Sequence, residues 1–444
     1  MNALVVVALL AAAPSSPVTL EDARKQGRQS TTALQSILDL EVAEEDVRIA
    51  RSSLLPQVAI NAYAGKRWIG RRNSFSLVTD PVTGQPVQIP VETEPTSTED
   101  YDLGATLSQS VYDRKLWKQL EQNGILRDAQ KSQTKEEADT AELEAVRRFF
   151  TLFRTQASRQ VLAANVQRSE EQVDRARSMF EAGRVGKVEE ITAKVNLGND
   201  RITLTQSLKQ LATDQAQLAV WLTRPGTEVL EAVDPGVLQQ EPAPAPSIEE
   251  AVKVAREQRP LLKARELQVR SAEIARAIAR ADYIPTLSLV GIYSRQGPDA
   301  EGVFTEPRMQ NNFIGRLNLE WNVFNGFRTP AQTRRAEASI RKAQLALEQS
   351  AREIEAEVRT SHQSLEAQIV AAQQAAENKE AATQGLHLAE ERFRAGAGST
   401  LEVRDAQLKL TQAELSLLQN RIDVEIARFS LMRAMGALSP GETK

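Results

Sequence analysis

Phe313-Ile-Gly-Arg-Leu-Asn-Leu-Glu-Trp-Asn-Val-Phe324 sorts its side chains by parity. Phe313, Leu317, Leu319, Trp321 and Val323 fall on one side of an extended chain. Ile314, Arg316, Asn318, Glu320 and Asn322 fall on the other. Period-two alternation that sets full charges against aromatics describes a strand with lipid on one face and water on the other. Arg and Glu do not suit a helix surrounded by lipid, and the apolar half does not suit a loop. One such run says little, but three more resemble it. The pattern predicts strands over about 57–66, 101–112, 285–294 and 312–324.

Almost everything between these runs reads as helix. From Arg114 to Phe180 there is no proline, and Gly124 is the only glycine. At about 1.5 Å per residue, a helix over 114–181 reaches on the order of 100 Å, a length that calls for packing along partner helices. Gly183 and Gly186 break it. A second helix, 187–223, carries Leu197, Leu204, Leu211 and Leu218 at heptad spacing, and a proline-bearing linker runs to residue 246. Then the pattern restarts. Ser247-Ile-Glu-Glu-Ala251 echoes Thr19-Leu-Glu-Asp-Ala23, and Tyr283-Ile-Pro285 echoes Leu54-Leu-Pro56. Asn325-Gly326 turns the chain into a helix over 330–394. Gly396 and Gly398 interrupt it, and a last helix, 400–435, repeats Leu401, Leu408, Leu415, Ile422 and Phe429. The chain is therefore one unit of about 200 residues written twice, 19–246 and 247–444. In each copy the opening helix is expected to run unbroken, Thr19 to Pro56 and Ser247 to Asp282. A polar loop of roughly 35 residues with Pro81, Gly84, Pro86, Pro90 and Pro95 is expected between the first two strands.

The net charge of −4 with 26% charged residues leaves no nucleic-acid footprint. The absence of cysteine excludes disulfides, thiolate metal sites and a lipid-modified N-terminal Cys. Met1 to Ala13 reads as the core of a signal peptide, assigned to 1–18. No other stretch approaches the roughly 18 apolar residues of a membrane helix, so entry into a membrane would be as a barrel. Four strands cannot close one, since the smallest need about eight, and open edges in lipid leave backbone groups unpaired. Two copies would supply eight strands and three would supply twelve. The expected fold is mainly α with a membrane β-barrel portion, completed by rotational symmetry.

The duplicated helix–strand–strand–helix layout resembles the TolC family of outer-membrane efflux proteins. The matching motifs are Leu55-Pro56 and Ile284-Pro285 before strands, Gln109-Ser-Val-Tyr-Asp113 and Trp321-Asn-Val-Phe-Asn-Gly326 after them, and the turns Phe180-Glu-Ala-Gly183 and Phe393-Arg-Ala-Gly396. The resemblance implies a homotrimer in the outer membrane of a Gram-negative bacterium, with a twelve-stranded barrel and a long periplasmic α-helical barrel. It implies a passive exit duct for a tripartite efflux pump or type I secretion system. The implied partners are a periplasmic adaptor (membrane fusion) protein, an inner-membrane RND, ABC or MFS transporter, and outer-membrane lipid.

The same resemblance places adaptor docking at the helical tips, Gly183, Arg184, Val185, Gly396, Ala397 and Gly398. It places a periplasmic gate at Glu402 and Asp405, which lie three apart on one helix face. Acids in a first helical turn also complement the helix dipole, a role that competes with gating. Arg184 and Arg404 are candidates to pair with these acids across protomers. Gly398 departs from the family, where some members carry an arginine in the closing network. The barrel lumen is assigned to Arg316, Asn318, Glu320 and Asn322. His362 and His387 have no second ligand at helical spacing, and His362 reads as a packing residue. No phosphate-binding, dinucleotide, zinc-protease or triad motif is present, so no catalysis, cofactor or metal is expected. Charged runs such as Arg352–Arg359 read as solvated helix faces. A non-channel periplasmic coiled-coil or adaptor protein is the alternative; the four strands argue against it.

Overall fold

The computed structural model describes residues 16–236, 244–305, 311–395 and 397–438. The leader core, part of the linker and Gly396 lie outside the described residues. In chain order the elements are β1 (Ser16–Val18), α1 (Leu20–Gly27), α2 (Thr31–Ser52), β2 (Gln57–Ile69), β3 (Arg72–Thr79), β4 (Pro86–Thr93), β5 (Thr96–Tyr112), α3 (Arg114–Glu181) and α4 (Lys187–Trp221). There follow β6 (Leu230–Ala232), α5 (Ile248–Gln258), α6 (Pro260–Ala281), β7 (Thr286–Gly297), α7 (Ala300–Phe304), β8 (Asn311–Glu320), α8 (Arg328–Arg394) and α9 (Thr400–Met435). They fall into two compact units. One gathers Met1–Val42, Asp128–Val269 and Ala343–Lys444; the other gathers Ala43–Arg127 and Arg270–Lys342.

The first unit is helical. Phe149, Phe150 and Leu152 of α3 are fully buried with Leu218 of α4 and Ile422 of α9, and the Phe149 and Phe150 rings meet edge to face at 5.5 Å. β1 and β6 pair in parallel at the margin of this core, with Val18 and Leu230 wholly buried. The leader boundary expected near residue 18 therefore overlaps a strand of the folded chain. A second cluster joins Ala251 and Ala255 of α5 to Ile354, Val358 and Leu365 of α8 and Val424 and Leu431 of α9.

Neither opening helix runs unbroken. The first is interrupted between Gly27 and Thr31, where Thr19 has already capped α1 reciprocally with Asp22. The second breaks at Arg259, whose extended backbone precedes Pro260, because proline disfavours the helical conformation in the residue before it. The kink has a use. Arg259 is 2% exposed at its side chain and reaches the last turn of α9, donating to Arg433 O at 3.0 Å and Ala434 O at 2.7 Å. It also pairs with Glu136 at 2.8 Å and Glu357 at 3.1 Å, and Arg433 contacts both of the same acids. Further along α3, Asp139 and Glu142 are buried against Arg24 and Arg28. Charged runs are thus not only solvated faces: Glu357 and Glu355, inside the Arg352–Arg359 run, pair with Arg433 and with Arg256 of other helices. His362 is buried, its Nε2 2.8 Å from Pro246 O, in a packing position.

The second unit holds the sheet. Its strand order is β2-β5-β7-β8, antiparallel throughout. The expected loop between the first two strands is instead a ribbon, since β3 and β4 pair from Arg72↔Thr93 to Thr79↔Pro86. Both strands of a two-stranded ribbon are edges, so prolines 86 and 90 can point their missing donors outward.

Candidate functional site

Register turns the parity of one strand into the faces of a sheet. Phe313, Leu317 and Leu319 of β8 stand opposite Tyr293, Leu289 and Leu287 of β7. Tyr293 and Arg295 continue to Ala105 and Leu103 of β5, and Gly291 to Leu107. Leu107, Ala105 and Leu103 continue in turn to Val58, Ile60 and Ala62 of β2. One face is therefore apolar across all four strands. Polar residues interrupt it toward its ends, at Gln109, at Lys66 opposite Glu99, and at Arg295 opposite Asn311; Arg295 is buried and donates to Gly302 O of α7 at 2.7 Å. On the other face Arg316, Asn318 and Glu320 meet Val290, Ser288 and Thr286, Ser108 and Ser110 lie beyond Val290 and Ser288, and Thr106, Asp102 and Asn61 share this face further along. Asn61 donates to Asp102 at 3.0 Å. Isolated alternation would leave such faces mismatched between strands; here four strands agree.

The predicted strand over 312–324 ends at Glu320. Trp321 donates its indole N–H to Tyr283 O at 3.2 Å, and Gly326 and Phe327 turn the chain with positive φ of 65° and 63°. Asn322 consequently sits beyond the ladder, separated from the other three residues assigned to the lumen. β2 and β8 each have a single neighbour among the described residues, so the sheet keeps two open edges. Among the described residues no helix is long and apolar enough to cross a membrane, and no group of three acidic or His side chains could hold a metal ion.

The helical tips belong to the other unit. Gly183 has φ 73° at the end of α3, and Arg184 N donates to Met179 O five residues back, the glycine-dependent helix stop that leaves few carbonyls unpaired. Ala397 N repeats this with Arg392 O, again five back. Arg184 and Ala397 are exposed, and Val185 and Gly398 are half-buried. A Cβ on Gly398 would meet Phe393 N at 3.1 Å and Glu402 Oε2 at 3.2 Å, so the turn closes against the end of α8.

Glu402 has two neighbours. Its N–H donates to the capping hydroxyl of Ser399 at 3.2 Å, and its carboxylate lies 3.7 Å from Arg392. Asp405 pairs one turn on with Lys409 at 2.6 Å. Both acids are exposed. Arg404, a candidate partner across protomers, is committed within its own chain: both ends of its guanidinium bind Asp200 of α4. Its separation of 204 residues in sequence gave no signal. Across the tip Thr400 donates to Glu189, and Glu190 is held by Lys187 and Lys194. Those two lysines lower the Glu190 pKa to about 2.

Toward the tip the heptad stripe of α9 is uncovered, with Leu401 at 76% and Leu408 at 47% exposure, whereas Ile422 and Phe429 further along are buried. On α4 Val188, Ile191, Val195 and Ile202 are likewise exposed, at steps of three, four and seven residues. These faces have the spacing of a seam with no helix against it among the described residues.

Two parts of the sequence match the family model described as outer membrane efflux protein, residues 28–223 and 251–437. The chain belongs to the outer membrane efflux protein family. An efflux protein of the outer membrane is what that membership describes. The chain is 26% identical over 180 residues to the outer membrane protein OprJ of Pseudomonas aeruginosa, a match that covers 40% of this chain and 37% of that relative. Its fold is similar to the Campylobacter jejuni CmeC outer membrane channel, at 14% identity with TM-score 0.74, covering 96% of this chain and 87% of that one. It is also similar to the open state of the Neisseria gonorrhoeae MtrE outer membrane channel, at 17% identity with TM-score 0.74, covering 96% and 91%. The coiled-coil or adaptor alternative is not favoured by these likenesses.

Proposed function

We propose that the chain is one of three identical protomers of an outer-membrane exit duct that serves a tripartite efflux pump or type I secretion system. The observation that carries this reading is the four-stranded sheet with one apolar face, one polar face and two open edges. Closure through β2 of one copy and β8 of the next satisfies both edges, and three copies give twelve strands, comfortably above the minimum of about eight. The apolar face then meets lipid, and Arg316, Asn318 and Glu320 line water. The uncovered heptad seams of α4 and α9 are the second support, because the same symmetry supplies them with neighbouring helices.

In this reading 19–246 and 247–444 are two copies of one unit, preceded by a leader. The tips around Gly183–Val185 and Gly396–Gly398 receive a periplasmic adaptor, and an RND, ABC or MFS transporter of the inner membrane drives the flow. Glu402 and Asp405 from three copies put six carboxylates around the entrance, which would concentrate cations there. Conduction is passive, so no side chain is assigned a catalytic role. Fractionation, migration of unheated and heated protein on gels, and planar-bilayer recording test this. Outer-membrane location, a heat-sensitive trimer and discrete conductance steps are expected; a soluble periplasmic monomer overturns it.

A further inference from the structure

At the end of the sheet where β2 and β7 begin, at Gln57 and Thr286, and β5 and β8 end, at Tyr112 and Glu320, the strands give way to helices. Large side chains crowd this end and remain exposed: Trp321 at 62%, Tyr283 at 54%, Phe324 at 73% and Phe327 at 72%. Trp321 follows β8 at the parity of its apolar face and is tied to the backbone of Tyr283. Two open cavities flank Tyr283. One, of about 460 Å³, is lined by Arg280, Pro330, Thr333 and Arg334 together with the Tyr283 ring. The other, of about 310 Å³, adds Arg114, Arg276 and the carboxylate of Glu273, and shares Arg280 and Tyr283 with the first.

The charge here is one-sided. Arg114, Arg276 and Arg334 have no hydrogen bond or ion pair among the described residues, and Arg280 has a single distant partner, Glu337 at 3.6 Å. Nearby Arg328 faces Asp282, also at 3.6 Å. Five guanidinium groups with three carboxylates among them, Glu273, Asp282 and Glu337, leave an excess of positive charge just past the aromatic margin of an apolar face, the setting for a phosphate at headgroup depth.

We propose that the arginine-lined cavities on either side of Tyr283 bind the phosphate of an anionic phospholipid headgroup. Arg280 and Arg334 bracket the phosphate, while Arg114 and Arg276 hold the glycerol side of the head near Glu273. The acyl chains then run up the apolar face past Trp321. The site rests on the reading of the sheet as a membrane barrel.

The test uses the full chain reconstituted in phosphatidylcholine vesicles with and without phosphatidylglycerol, and native mass spectrometry of the lipid retained after gentle extraction. Wild type retains phosphatidylglycerol in preference to phosphatidylcholine. Each arginine removed by Arg280→Gln or Arg334→Gln lowers that preference by about fivefold, and Glu273→Gln raises it. The Glu273 variant guards against misfolding, since damage cannot increase selectivity. Equal retention by wild type and the Arg280→Gln/Arg334→Gln variant overturns the proposal. So does a thermal shift by inorganic phosphate, at matched ionic strength, as large as that by phosphatidylglycerol, because the site would then serve a free anion. A chain that fails to insert even into phosphatidylcholine refutes the barrel reading instead.

Discussion

Arg404 and Asp200 are joined end to end, Nη1 to Oδ2 at 2.8 Å and Nη2 to Oδ1 at 2.9 Å, with the Ser169 hydroxyl donating to the same carboxylate at 2.5 Å. The pair clamps the first turns of α9 to the middle of α4. Its side chains are only 15% and 9% exposed, so loss of one partner strands the other away from water. Arg404→Ala should cost about 3 kcal/mol in thermal or denaturant unfolding, and Arg404→Leu with Asp200→Leu should cost less than either alone. Burial alone would raise the Asp200 pKa, but Arg404 and Ser169 outweigh it and hold the group below its ordinary 3.8. A depressed folded pKa means the contribution is complete above the unfolded value and fades as pH drops through the folded one. Asp200→Asn should therefore flatten the acid limb of stability below about pH 4.

Glu190 gives a local version of the same experiment. Lys187 and Lys194 hold its pKa near 2, against an ordinary 4.5. The first turn of α4 should keep its amide-exchange protection as pH falls to about 4.5, then lose it progressively toward 2, and Glu190→Gln should remove that dependence. An unchanged exchange profile in the variant would mean the lysines play no part in holding the tip.

The sheet faces make a paired prediction. Leu317→Arg places a charge on the apolar face and should cost about 2–4 kcal/mol at mid-depth, seen as reduced assembly into outer-membrane trimer. Asn318→Arg, one residue on, should assemble normally and change ion selectivity instead. Equal assembly defects in the two variants would reject the face assignment.

Glu402→Ala with Asp405→Ala should raise conductance and weaken block by multivalent cations in planar bilayers, because the carboxylates are exposed and spent only on Arg392 and Lys409. Conductance equal to wild type would leave Glu402 as the third residue of a helix capped by Ser399.

The buried cluster around Arg259 makes a stability prediction of its own. Arg259→Met removes a buried charge that serves two acids and two carbonyls, and should cost about 3 kcal/mol by leaving buried Glu136 with Arg433 as its one remaining cation. Adding Glu136→Gln should recover part of the loss.

What the sequence disclosed was whatever repeats at short range. Parity at Phe313–Glu320, heptads from Leu401 to Phe429 and the stop at Gly183 all arise from neighbours a few residues apart, and the structure uses them. The ribbon of β3 and β4 was hidden because prolines 86 and 90 signal loop, although Phe75 and Leu77 and then Val87, Ile89 and Val91 alternate there as well. The break at Arg259 was visible in Pro260, but its consequence, an arginine delivered to the end of α9, was not. Nor was the Arg404–Asp200 clamp. Pairs separated by hundreds of residues depend on how helices are laid together, and one sequence carries no record of that.

The open edges of β2 and β8 also have a genetic consequence. An assembly that must borrow strand partners from its siblings cannot compensate for one bad sibling. A variant with a proline at the middle of β8, expressed beside the normal chain, should enter most rings and spoil them, leaving wild-type-only rings in the minority. Such an allele should behave as dominant, and a cell carrying both copies should lose efflux nearly as fully as one carrying none.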